Sequence, residues 1–243
     1  MRFLIISFFL LFNIQLCAQN YQKTLIIGAL PFNAPFSNQI DNRGHFVGFD
    51  IELMNHICER INARCLYKGA SITQLFTSIK IRQMDLAIGG LIITKQRQES
   101  YLFSMPYLMS YGNFVVLNKS NIKSINDLYH KKIGVLKGSV YQRMVMQHFG
   151  SNVTIIPYPL MPDILSALVD KQVDAVLIDQ APAKYWTTKE NNLKILGKPM
   201  HTGSGYAIMT NKKNTKLIRE INSAILNMEQ DGSYLKLYNE YFN

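Results

Sequence analysis

The stretch Arg82-Gln83-Met84-Asp85-Leu86-Ala87-Ile88 runs into Gly89-Gly90, and its outline returns as Lys171-Gln172-Val173-Asp174-Ala175-Val176-Leu177 before Ile178-Asp179. Each copy reads as a helix end, a tight turn and a short buried strand, because polar residues give way to a continuous apolar run. The same grammar extends outward from both copies. Upstream, Thr24-Leu25-Ile26-Ile27-Gly28-Ala29 is a buried strand stopped by Pro31 and Pro35. Gly48-Phe49-Asp50 then opens a helix whose apolar face is Phe49, Leu53, Met54, Ile57 and Ile61, with Asp50 and Glu52 favourably placed in its first turn. Leu75, Phe76 and Ile79 mark a second helix, ending at Arg82-Gln83.

In the second half, Lys132-Ile133-Gly134-Val135 and Thr154-Ile155-Ile156 read as strands. Helices cover Met144 to Phe149 and the face of Ile164, Leu165, Leu168 and Val169. Strands alternating with helices predict an α/β protein with mostly parallel sheets, here in two similar lobes; a single large doubly wound sheet is the alternative. Asn113-Phe114-Val115-Val116-Leu117 and Gly205-Tyr206-Ala207-Ile208-Met209 read as two crossings between lobes, hence a hinge. The expected division is residues 24–109 with 207–243 as the first lobe and 110–206 as the second. Helices over Leu217 to Met228 and Tyr234 to Phe242 are expected to fold back on the first lobe.

Composition bounds the class. With 48% hydrophobic and 17% charged residues in 243, the chain is neither disordered nor collagen-like, and one large or two modest domains fit. Twenty-six Lys+Arg against 16 Asp+Glu give +10. The charges are scattered singly, paired only at Lys131-Lys132 and Lys212-Lys213, so the excess reads as a solvated basic surface and not as a nucleic-acid site.

Residues 1–18 are different text. Met1-Arg2 precedes the apolar run Phe3 to Phe12, which decays through Asn13 and Gln15 to Cys17-Ala18. This is the pattern of a secretory signal cleaved near Ala18, with a retained anchor as the alternative. Cys17 offers a lipidated N-terminus, against which stands Leu16, bulky where a lipoprotein signal takes a small residue. Export leaves Cys58 and Cys65 in an oxidising compartment, where an even, nearby pair reads as one disulfide. A metal pair is the rival, with His56 as its one neighbouring ligand and no cysteine or histidine partner at zinc spacing.

Ligands of open α/β sheets gather beyond the carboxyl ends of the strands. After Leu86-Ala87-Ile88 come Gly89-Gly90, permitting close backbone approach, then Thr94 as a helix N-cap with Arg97 three residues on. A guanidinium beside a helix start suits a carboxylate. After Ile133-Gly134-Val135 comes Gly138-Ser139, offering N–H and hydroxyl donors. After Val176-Leu177-Ile178 comes Asp179, suited to an ammonium group. One lobe thus offers a receptor for a carboxylate and the other for an ammonium, the two poles of a free amino acid. Separately, Arg97 could pair with Glu99 on a surface helix, and Asp179 could simply cap the helix containing Ala183 and Trp186.

These residues carry a resemblance. Pro31 with Ala34-Pro35-Phe36, Val47-Gly48-Phe49-Asp50-Ile51-Glu52-Leu53, Asp85 through Arg97, Phe103-Ser104-Met105-Pro106-Tyr107, Gly138-Ser139, Val173 through Asp179 and Asp231-Gly232-Ser233-Tyr234 occur in order. The chain resembles the amino-acid-binding branch of the periplasmic solute-binding proteins of ABC importers, those for arginine, histidine and lysine-arginine-ornithine. The resemblance implies a two-lobed, type II periplasmic-binding-protein-like fold, and a disulfide between Cys58 and Cys65. It implies that Arg97 holds an α-carboxylate, helped by the main-chain N–H at Ile92 and by Ser139 and Val140. Asp179 and the Gly90 carbonyl would hold the α-ammonium, and Ile72 and Asn33 would flank the ligand side chain. It departs from that pattern at Ile92, where relatives carry a small hydroxyl or acidic residue. It departs also at Leu30, where basic-amino-acid binders tend to carry an acid, and at Asn33, often aromatic. Asp41 or Asp163 are candidates to supply the missing charge.

The expected function is an exported, monomeric receptor for a free L-amino acid, polar or basic and arginine-like, serving an ABC permease without cofactor or metal. Two alternatives are a cyclohexadienyl or arogenate dehydratase on the same fold and a non-transport sensor or adhesin. The dehydratase reading lacks its acid, since Gln180-Ala181-Pro182-Ala183 follow Asp179.

Overall fold

The computed structural model describes residues 22–242. The signal segment, its cleavage near Ala18 and the Cys17 alternative lie outside them. The chain begins with β1 (Lys23–Ala29), β2 (Phe32–Asn33), β3 (Ser37–Gln39), β4 (Phe46–Val47) and α1 (Phe49–Arg60). It continues through β5 (Ala63–Gly69), α2 (Ile72–Lys80), β6 (Leu86–Ile88), α3 (Lys95–Ser100) and β7 (Tyr101–Phe103). Next come β8 (Tyr111–Leu117), β9 (Lys132–Leu136), α4 (Tyr141–Phe149), β10 (Thr154–Tyr158), α5 (Met161–Val169), β11 (Ala175–Asp179), α6 (Gln180–Lys189) and β12 (Leu193–His201). The chain closes with β13 (Met209–Asn211), α7 (Thr215–Gln230) and α8 (Ser233–Phe242).

Two five-stranded sheets result, ordered β5-β1-β6-β13-β7 and β10-β9-β11-β8-β12, so the single-sheet alternative is excluded. Each has the same plan. Three parallel strands (β5, β1, β6 and β10, β9, β11) are extended by an antiparallel strand that arrives from the other half, β13 in the first sheet and β8 in the second. The recurrent aspartates of the turn explain why the motif repeats. Asp85 accepts the Ile26 N–H at 2.8 Å and Asp174 accepts the Lys132 N–H at 2.8 Å, each tying its turn to the neighbouring parallel strand, β1 at its middle and β9 at its first residue. A charge-assisted bond of this kind helps define strand register.

The crossings differ from expectation in one place. Asn113–Leu117 lies inside β8, between β11 and β12, and not between the sheets. Its apolar run is that of a strand buried within the second sheet. The chain crosses earlier, over residues 104–110, and returns over 202–208. These connectors bond to each other: Thr202 N–H donates to Ser110 O at 3.0 Å, Tyr206 N–H to Leu108 O at 2.8 Å and Tyr107 N–H to Tyr206 O at 2.9 Å.

The helices bury most of the predicted faces; Val169, at the end of the α5 face, is exposed where the helix runs out into its turn. In α1, Phe49, Leu53, Met54 and Ile57 are fully buried, and in α7 the buried stripe is Leu217, Ile218, Ile221, Ala224, Ile225 and Met228. Both C-terminal helices pack on α1, as the apolar periodicity requires. Phe36 is fully buried and meets Phe242 of α8 and Tyr206 at ring-centroid distances of 6.0 and 5.1 Å, so it is core. Tyr107 is also core, against Phe49.

Cys58 of α1 and Cys65 of β5 are bonded, with Cα atoms 6.1 Å apart. Closing so short a loop restricts the unfolded chain by about 2.5 kcal/mol in the chain-entropy description. Cys58→Ala with Cys65→Ala is therefore expected to lower the free energy of unfolding by about that amount, read from urea titration under oxidising conditions.

Candidate functional site

The site is built where strand ends, the crossings and two helix starts meet. Thr94 caps α3 as expected, its hydroxyl accepting the Arg97 N–H at 3.2 Å. The helix is only six residues long, so the anion-binding capacity of this region rests on the Arg97 side chain and not on a helix dipole. The guanidinium does not pair with Glu99. It stacks over the Phe76 ring at 4.7 Å and donates to Ile92 O at 2.7 Å and to Gly138 O at 3.1 Å. The second of these bonds joins the two sheets' flanking loops. Loss of hydration brings the Arg97 pKa down to about 10, partly offset by the Asp179 charge.

Gly138 has φ +83°, and a Cβ there would lie 2.9 Å from Thr73 Cγ2 and 3.3 Å from Ile72 Cγ2. Only glycine combines that backbone conformation with so close an approach by α2. Ser139 accepts the Tyr141 N–H at 3.3 Å, so its hydroxyl helps start α4. Exposed Arg143 of α4 bonds Gln96 of α3, a second link between the flanking loops.

Asp179 ends β11 and precedes α6 as its N-cap residue, yet its side chain makes no capping bond. Oδ1 instead accepts the hydroxyls of Tyr141 at 2.7 Å and Tyr206 at 2.6 Å. Burial raises its pKa to about 6, against those two bonds and the charge of Arg97. Both tyrosines are pushed well above the phenol range, by burial first and then by the carboxylate. Among the described residues Arg97 and Asp179 form no direct ion pair, although each feels the other's charge.

The sequence-predicted residues fall into three groups. Arg97, Ser139 and Val140 border a cavity of about 730 Å³ that also takes in Arg143 and Thr202; Ile72 is outside its lining and packs close to Gly138. Asn33 and Gly90 meet at the Gly89-Gly90 turn: Gly90 N–H donates to Asp50 Oδ2 at 2.9 Å, and Asn33 Nδ2 donates to Gly89 O at 3.2 Å. Asp179 lies beneath Tyr141 and Tyr206, outside the lining of that cavity. Ile92 is buried; its neighbours Leu91 O and Ile93 N–H bond Ala207 N–H and Gly205 O, and its own carbonyl takes Arg97.

Residues 25–243 match the bacterial extracellular solute-binding proteins, family 3. The chain belongs to this family. An arginine-binding periplasmic protein of Mannheimia haemolytica is 28% identical over 93% of this solute-binding protein and 94% of its own length. A histidine-binding periplasmic protein of Escherichia coli (strain K12) is 28% identical over 91% of this chain and 88% of its own. The crystal structure of an arginine 3rd transport system periplasmic binding protein from Legionella pneumophila superposes with a TM-score of 0.88 at 40% identity, covering 90% of this chain and all of that one.

Three residues of this solute-binding protein's site escaped the sequence reading. Asp50 was expected to act on the α1 dipole; it is fully buried and holds the Gly89-Gly90 turn. Its adjacency to Gly48 and Phe49, both packed against the Pro35-Phe36 segment, was the available signal. Tyr141 and Tyr206 had none, because they meet Asp179 from distant segments. Asp41 and Asp163 do not join the site's buried groups: Asp41 bonds His45 at 2.6 Å on a loop, and Asp163 is exposed in the first turn of α5.

Burial raises the Asp50 pKa to about 7, against the lowering effect of the Gly90 N–H and of the Tyr107 hydroxyl nearby. Asp50 and Asp179 therefore hold protons in the folded state that the unfolded chain has already released above pH 4. Stability of the ligand-free protein is expected to fall as pH rises from about 4 to 7. Asp179→Asn should remove the part of that decline that runs from about pH 4 up to the Asp179 pKa of about 6, read as urea midpoints across the range.

Proposed function

We propose that this solute-binding protein captures a free L-amino acid, polar or basic and arginine-like, between two lobes and delivers it to the permease of an ABC transporter. One observation carries the reading. A half-buried guanidinium on the first half and a buried carboxylate on the second lie near enough to feel each other's charge without pairing. That arrangement fits a zwitterion placed with its carboxylate toward Arg97 and its ammonium toward Asp179. The Ile92 main-chain N–H, with Ser139 and Val140, would assist the first pole and the Gly90 carbonyl the second. Ile72 and Asn33 would flank the side chain. The arginine- and histidine-binding relatives favour a basic ligand.

The working lobes are residues 24–109 with 207–243 and residues 110–206. The bonded connectors between them suit a hinge, and a ligand bridging the lobes would stabilise the closed arrangement that the permease recognises. The protein is proposed to act as a monomer in the periplasm after removal of residues 1–18, without chemistry of its own. An oxidising compartment agrees with the bonded Cys58 and Cys65.

Isothermal titration of ligand-stripped protein with the twenty amino acids tests this directly. Heat is expected from arginine or a close analogue, and Arg97→Ala and Asp179→Ala are each expected to weaken that binding by about 3 kcal/mol or more, because each leaves a ligand charge without its partner. Undiminished affinity in either variant would remove the assignment. Product formation from prephenate or arogenate would favour the enzyme reading instead.

A further inference from the structure

A second cavity, of about 550 Å³, shares no lining residue with the one beside Arg97. Its size falls within the roughly 300–1,000 Å³ range of small-molecule sites. Both halves wall it. The first contributes Phe36 and, from α8, Tyr238, Tyr241 and Phe242; the second contributes Tyr111 of β8 and Tyr185 of α6. Leu108 and Met109 of one crossing and Tyr206 of the other complete the lining at the point where the halves join.

These rings are fixed by their neighbours. Phe36 is fully buried and meets Tyr206 edge-on at 5.1 Å, and Tyr238 meets Phe242 at 5.1 Å. The Tyr206 hydroxyl donates to Asp179 and the Tyr241 hydroxyl to Glu52, so both residues offer the cavity ring surface, their polar ends being engaged elsewhere. Met109 is exposed at the same place. Aromatic walls of this kind favour a flat apolar guest, which can stack on them or meet them edge to face.

The charge at this cavity has one sign. Lys184 and Lys189 of α6 line it, and no aspartate or glutamate does. Both lysines are exposed, and neither forms an ion pair among the described residues. Lys189 Nζ stands 5.9 Å from the centre of the Tyr185 ring, which keeps one ammonium at the edge of the aromatic wall. Lysine stems lie along apolar surface while their heads stay in water, where they can follow an anion. The complementary guest is flat and apolar at one end and anionic at the other. An aliphatic acid would gain little from the rings, and a neutral aromatic nothing from the lysines.

We propose that this cavity at the crossings is a second binding site, separate from the amino-acid site, for a small free aromatic carboxylate whose ring lies among Phe36, Tyr185, Tyr206 and Phe242 and whose carboxylate meets Lys184 and Lys189. It stands on its own lining and does not depend on the amino-acid reading. 2-Naphthoate and 2-naphthamide separate the charge from the shape, since they differ only in the anionic group.

Isothermal titration of the wild-type protein is expected to show saturable binding of one 2-naphthoate, at least fivefold tighter than 2-naphthamide. Lys184→Glu with Lys189→Glu, both at exposed positions, should cut 2-naphthoate affinity tenfold or more while 2-naphthamide moves less than threefold. Tyr185→Ala should weaken both ligands at least fivefold. Lys212→Glu with Lys213→Glu, the same change of charge on the turn after β13, should move 2-naphthoate less than threefold. An equal loss in that pair would reduce the effect to attraction by the basic surface at large and would overturn the proposal. So would a wild type without saturable binding, or undiminished 2-naphthoate affinity in the α6 charge variant or in Tyr185→Ala. Loss of 2-naphthoate binding in Arg97→Ala would place its carboxylate in the other cavity and overturn the proposal as well.

Discussion

Two buried carboxylates, Asp50 and Asp179, and one half-buried guanidinium, Arg97, occupy one region without a direct ion pair among them. Taking a charge out of water is expensive, and the protein offsets the cost with directed neutral donors: two tyrosine hydroxyls on Asp179 and a glycine N–H on Asp50. Arg97 is met by two main-chain carbonyls and an aromatic face. Each group is thereby held in place while its charge stays available. A site that neutralised its own charges in pairs would have little left for a small charged guest.

That arrangement depends on the duplicated architecture. Strands β6, β9 and β11 run into Gly89-Gly90, Gly138 and Asp179, and β8 and β13 are exchanged between the halves. The close approach at Gly138, against Ile72 and Thr73, sets how near the two flanking loops come. The bonded connectors supply both the link and one of the tyrosines, Tyr206, so the element that joins the halves also holds the carboxylate of the second.

Much of this was legible in the chain itself. The Asp85 and Asp174 turns, the apolar faces of α1 and α7, the Thr94 cap and the cysteine pair follow from periodicity, capping chemistry and local spacing, all of which act over a few residues. The placement of Arg97 and Asp179 at strand exits was readable for the same reason. The crossings were not. Asn113–Leu117 is as apolar and extended as a connector between lobes could be, and only its pairing with β11 and β12 shows it to be an interior strand.

Local pattern therefore determined the element types, the two-sheet plan and the residues carrying charge at the strand ends. Tertiary structure alone decided the partners of those charges. Tyr141 and Tyr206 reach Asp179 across 38 and 27 positions of chain, and Asp50 reaches Gly90 across 40. Hydrogen bonds between such segments leave no periodic trace, because their geometry is set by how helices and connectors pack and not by spacing along the chain. Burial, which changes Asp50 from a residue favouring a helix start into an unpaired carboxylate in the interior, is likewise a property of the assembled core and not of any window of sequence.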